Sequence, residues 1–144
     1  MVDNIKIERI WQDEDFFEVL VTCSNNAITA STEVYVTKLA VKQLQNEIDQ
    51  FLQFKKTDIF WKSGERGNQS TPCVEFKMCM KDSRGHVLIE IFMELNDGGD
   101  LDKHICCFYI NTELGILQDF NSKLSALMNP VIGTSVSLVE EGLW

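Results

Sequence analysis

The stretch VTKLAVKQLQNEIDQFL, residues 36–52, sets Val41, Leu44, Ile48, Phe51 and Leu52 three and four positions apart. That spacing gathers them on one face of an α-helix. The same stripe returns in LQDFNSKLSALM, residues 117–128, as Leu117, Phe120, Leu124, Leu127 and Met128, so that Val41 and Leu117 stand 76 positions apart. Each stretch follows a strand-like run ending in tyrosine and a β-branched residue, Tyr35-Val36 and Tyr109-Ile110. Each also has a capping candidate, Thr37 for the first helix and Thr112 or Asn111 for the second, whose side chain can accept from a first-turn N–H that lacks a helical partner. Pro130 stops the second helix.

Before the first helix, DFFEVLVTC (15–23) has period two, with Phe17, Val19, Val21 and Cys23 on one face and Phe16, Glu18, Leu20 and Thr22 on the other. Asn25-Asn26 supplies a tight turn into AITASTEVYV (27–36), which alternates again. NIKIERIW (4–11) reads as an earlier strand. CVEFKMCMKD and HVLIEIFMEL form a second hairpin, with Val74, Phe76, Met78 and Met80 facing Val87, Ile89, Ile91, Met93 and Leu95. NDGGD (96–100) turns the chain into KHICCFYIN. The pattern predicts one α+β domain over 1–144, two-layer, with an antiparallel sheet of about five to seven strands and two helices on one face. It reads as a β-β-α pseudo-repeat with halves at about 5–54 and 72–129, a crossover loop at 55–71 with room for one short strand, and a C-terminal tail at 130–144.

Composition narrows the function classes. At 44% hydrophobic with two prolines, the chain has the apolar content of a globular core. Its net charge of −9 opposes a nucleic-acid backbone or an anionic membrane surface and suits a basic protein partner. The first residues show no basic segment followed by an apolar one, which leads to a cytoplasmic expectation. Five cysteines, with no CxxC pair, read as reduced thiols.

Few residues invite chemistry. His86 and His104 are the two histidines; with Glu90 and Cys106 they are the candidates for a metal site, although their spacing matches no metal motif and a polar strand face is the stronger reading. Glu75, Lys77, Glu90 and Glu94 alternate with the apolar side of their hairpin and are expected to pair across strands in solvent. NDGGDLD lacks the ligand spacing of an EF-hand. GxSxG, GxxxxGK[ST] and HExxH are absent, so the expectation is a non-enzymatic protein without catalytic residues or cofactor. Acidic groups at Asp13, Glu14, Asp15, at Asp97, Asp100, Asp102 and at Glu140, Glu141 are the candidates for binding a basic partner.

The ordered features FFEVLVTCSNN, VYVTKLAVKQLQNEIDQFL, GHVLIEIFMEL and CCFYINTELGILQDFNSKLSAL resemble the small bacterial WapI-type immunity proteins and their uncharacterised relatives over residues 16–128. The resemblance implies a single-domain cytosolic protein that neutralises the tRNA-cleaving tip of a toxin. It transfers no binding residues. A small-ligand-binding or regulatory domain using His86, Glu90, His104 and Cys106 is the alternative, and a metal-dependent enzyme at that face is a third. A homodimer through a sheet edge stays open.

Overall fold

The structure, a computed structural model, describes residues 3–68, 71–95 and 104–139. Strand β1 (Asn4–Gln12), β2 (Phe17–Ser24) and β3 (Thr29–Val36) form a meander that runs into α1 (Lys38–Leu52). Strand β4 (Asp58–Ser63) follows, then a second meander of β5 (Val74–Met80), β6 (His86–Glu94) and β7 (Ile105–Glu113) runs into α2 (Leu114–Lys123). A 3-10 turn, Leu124–Met128, extends α2, and β8 (Ser135–Ser137) comes last among the described residues.

Local chemistry explains these boundaries. Asn25 Oδ1 accepts from the main-chain N–H groups of Ala27 and Ile28 and closes the β2–β3 turn. Thr37 Oγ1 accepts from Ala40 N at 3.1 Å and starts α1 as the sequence implies. The second helix starts differently. Its N-cap is Glu113, without a side-chain bond, and Thr112 points inward from β7, opposite Val87, with its hydroxyl buried and unpartnered.

The class is α+β, with eight strands among the described residues. They divide into two antiparallel sheets of four, sheet A in the order β3-β2-β1-β8 and sheet B in the order β4-β5-β6-β7, where the sequence suggested one sheet of about five to seven. The repeat is also longer than β-β-α: three strands, a helix and a fourth strand recur in order. The expected crossover loop contains β4 and the expected tail contains β8, and each completes the sheet of the other half.

The two registers correspond. Across sheet A, Val136, Ile7, Val21 and Thr32 are successive cross-strand partners; across sheet B the equivalent row is Trp61, Phe76, Ile91 and Phe108. All eight side chains are buried. The helical stripes obey the same equivalence, since Val41, Leu44, Ile48 and Phe51 are buried in α1 and Leu117, Phe120, Leu124 and Leu127 are buried in α2 and its extension. Where the helices meet, Gln45 Nε2 donates to the Asn121 carbonyl and Asn121 Nδ2 donates to the Gln45 carbonyl, each at 3.3 Å. Such reciprocity is the signature of a two-fold contact. Both sheets and both helices share one core, to which each fully buried Leu, Ile or Phe side chain contributes about 1.5–3 kcal/mol.

Candidate functional site

The outer face of sheet A carries two neighbouring rows of side chains. Glu8, Leu20 and Glu33 are cross-strand partners in one, and Trp11, Glu18 and Tyr35 in the next. Acidic and apolar groups therefore alternate in both directions. Trp11 reaches this face through a β-bulge: Arg9 pairs with Val19, yet Trp11 pairs with Glu18, which leaves Ile10 as the extra residue. Without the bulge Trp11 would oppose Phe17 and turn to the core, because side chains alternate with a period of two.

Three aromatic rings form the end of this face. Tyr35 stands edge-on to Trp11, with centroids 6.3 Å apart, and to Phe16, with centroids 5.5 Å apart. Together with Val36, Thr37 and Thr71 they line an open groove of about 490 Å³. Concavities of about 300–1,000 Å³ suit a ligand or a short chain segment. The rings are 39–46% exposed, so they do not serve as core. The turn that presents Phe16 is held by Asp13, whose Oδ1 accepts from the N–H groups of Asp15 and Phe16. Glu18, foremost, together with Glu33 and Asp13, holds the Tyr35 phenol above its ordinary pKa, because nearby negative charge disfavours the phenolate.

The outer face of sheet B supplies a comparison. There Glu75 and Phe92 are cross-strand partners, and Arg66 fills the pair: its guanidinium carbon sits 3.7 Å from the Phe92 centroid while Nε and Nη2 reach the two Glu75 oxygens at 2.8 and 2.6 Å. The arginine holds the Glu75 carboxyl below its usual range. Glu94 is buried and accepts from the main-chain N–H groups of Gly67 and Cys73, so it fastens the loop before β5. Glu75 and Glu94 therefore depart from the solvated pairing expected of them, because that loop covers their side of the sheet. Lys77 and Glu90 do lie opposite one another.

The candidate residues of the sequence fall in separate places. Asp13, Glu14 and Asp15 form the exposed β1–β2 turn beside the aromatic groove. Asp97, Asp100, Asp102, Glu140 and Glu141 lie outside the described residues. The histidine face is not assembled. His86 is opposite Glu113 and binds Asp82 through Nδ1 at 2.6 Å, whereas Glu90 is four positions along β6, about 13 Å away at strand spacing. Cys106 pairs with Met93 on the other face, and His104 precedes β7 beside Leu95. Alternation explains the correction: Cys107, not Cys106, shares the face of Glu90, and the two histidines sit at opposite ends of the hairpin. No group of three or more His, Cys, Asp or Glu side chains suited to a metal occurs among the described residues.

Trp11, Glu18, Glu33 and Tyr35 were not singled out from sequence. The alternation of 15–23 did place Phe16 and Glu18 on the face opposite Phe17, but the bulge and the strand register are needed to bring Trp11 and Tyr35 beside them. The fold itself does not require this cluster. In the second half the row equivalent to Trp11, Glu18 and Tyr35 is Cys79, Leu88 and Asn111, in the same pairing. No family model, curated protein or solved structure matches the chain. No helix among the described residues is long and apolar enough to cross a membrane.

Proposed function

We propose that this protein is a non-enzymatic binding protein that captures a basic protein partner, as an immunity protein captures a toxin. The observation that carries the reading is the outer face of sheet A, where Glu8, Glu18 and Glu33 alternate with Trp11, Leu20 and Tyr35 beside the acidic turn 13–15. Among the described residues no ion pair joins those three glutamates to a cation of the chain. Carboxylates grouped in this way steer a cationic surface toward them, and exposed aromatics supply the apolar contact that holds it. A nuclease, whose cleft must attract polyanions, offers such a surface.

The test is affinity capture on the immobilised protein from cells carrying its genomic neighbourhood, run beside the Glu8→Gln/Glu18→Gln/Glu33→Gln variant. The expected result is one basic protein retained by the wild type, released progressively by salt, and lost from the variant. Equal retention by both proteins, or a metal or small molecule found on the isolated protein by native mass spectrometry with no protein partner, overturns the reading.

A further inference from the structure

We infer that the groove formed by Trp11, Phe16 and Tyr35 is a receptor for an arginine side chain presented by the partner. The inference rests on the capture reading above and assigns the group captured. Its starting point is a guanidinium laid on an aromatic ring, which the chain uses twice within itself, once together with a carboxylate fork. Arg66 lies on Phe92 and forks onto Glu75, the cross-strand partner of Phe92. Arg9 lies on Phe17, again with its guanidinium carbon 3.7 Å from the ring centroid. In sheet A, Glu18 and Tyr35 form the same kind of acid–aromatic pair across strands, with Trp11 on the other side of Glu18. Here no arginine of the chain fills it: the rings are partly exposed and the groove is open.

Arginine fits this arrangement better than lysine. A guanidinium is planar, stacks on aromatic faces, gives up its weak hydration readily and binds a carboxylate through two parallel N–H groups, whereas an ammonium is a compact, strongly hydrated charge. Glu18 stands between Trp11 and Tyr35 in the cross-strand row and is the carboxylate assigned to the fork, Glu33 adds negative potential two residues along β3 from Tyr35, and Trp11 and Phe16 line the space. The groove volume of about 490 Å³ exceeds one side chain and leaves room for the neighbouring residues of a bound segment.

The probes are three synthetic peptides alternating glycine with arginine, with lysine or with citrulline, the last being the neutral isostere of arginine. Binding is followed by amide and indole chemical shifts of the full-length protein. The expected result is that the arginine peptide shifts the Trp11 indole together with the Phe16 and Tyr35 amides. The lysine peptide should bind several-fold more weakly, and citrulline, Trp11→Ala or Glu18→Gln should each lower affinity about tenfold. Both altered side chains lie on the outer face, and the spectrum of each variant reports whether the fold is kept. Equal binding of the arginine and citrulline peptides, or shifts confined to another surface, overturns the arginine assignment. Should a basic partner be captured by the wild type and equally by Trp11→Ala and Glu18→Gln, the groove falls while the broader capture reading stands. If the peptides do not bind and no basic partner is captured, both fall.

Discussion

Arg9→Met asks whether a buried guanidinium fastens the end of the second helix to sheet A. Arg9 is 3% exposed on the inner face of β1, the last residue before the bulge. Its Nε lies 3.1 Å from the Leu127 carbonyl oxygen, Nη2 donates to the same oxygen, and Nη1 reaches Gln12 Oε1 at 2.9 Å. Two effects oppose each other in the variant. Removing the charge relieves the cost of burying it, the same cost that lowers the Arg9 pKa from its ordinary value. It also strands the buried Leu127 carbonyl, worth about 1–3 kcal/mol, and forfeits about 0.5–2 kcal/mol of attraction to the Phe17 ring. Methionine keeps most of the stem volume, so the cavity term is small. Because the guanidinium charge is spread and weakly hydrated, its burial cost is modest, and the stranded carbonyl decides the sign. The expected result is a loss of about 2 kcal/mol in urea unfolding at unchanged m-value. A variant as stable as the wild type, or more so, would refute the reasoning, since it would mean that burying Arg9 costs as much as its contacts return.

Three other outcomes are expected. The chain has two tyrosines; in a Tyr109→Phe background, ultraviolet titration should find Tyr35 ionising above the ordinary phenol range, and Glu18→Gln should bring it down, since Glu18 is the largest cause of the rise. Gly64 has φ +80 and an added Cβ would lie 2.5 Å from the Pro72 carbonyl, so Gly64→Ala should cost at least about 1 kcal/mol in denaturant midpoint. Arg66 lowers the Glu75 pKa in the folded state, so Glu75 adds stability that is present above the ordinary carboxylate pKa of about 4.3 and is lost as pH falls through the folded value. The stability difference between wild type and Glu75→Gln should accordingly shrink on acidification below about pH 4 and stay constant near neutrality.

Much of the secondary structure was legible because burial repeats with the period of each element. Val41, Leu44, Ile48 and Phe51 are buried on α1 as their spacing implies, and Phe17, Val19, Val21 and Cys23 are buried on β2. The division into two sheets was not legible, because period two tells which face a residue takes and not which strand lies beside it. The three-residue β8, Ser135–Ser137, has one buried side chain, Val136, and offers too short a run to show a period. The candidate site divides along the same line. Asp13–Asp15 announced an acidic turn by composition alone, and Glu18 was on the outward alternation of its strand. The place of Trp11 depended on a single extra residue at Ile10, a local shift that reverses the face of the residues after it and that alternation alone could not reveal. The histidine face fails for a related reason: His86 opens β6 and His104 precedes β7, so the two lie at opposite ends of the hairpin.

The exchange of fourth strands explains how two similar halves become one body. Each meander would end at its first strand, β1 or β5, with a row of unpaired N–H and C=O groups, and such edges invite unwanted pairing. The strand that leaves α1 covers β5 and the strand that leaves α2 covers β1, so each half closes the edge of the other and neither is complete alone. The frame is held by residues obeying the two-fold relation, namely the buried cross-strand rows and the Gln45–Asn121 contact. The outer faces are under no such constraint, and they differ. Sheet B covers its acid–aromatic pair with Arg66 from its own loop, whereas sheet A keeps Glu18 and Tyr35 open and adds Trp11 and Phe16. Aromatic side chains left in solvent contribute little to folding, and clustered carboxylates oppose it through mutual repulsion. A feature that stability does not demand, present in one half and absent from the equivalent place in the other, supports the proposal that a partner is captured there.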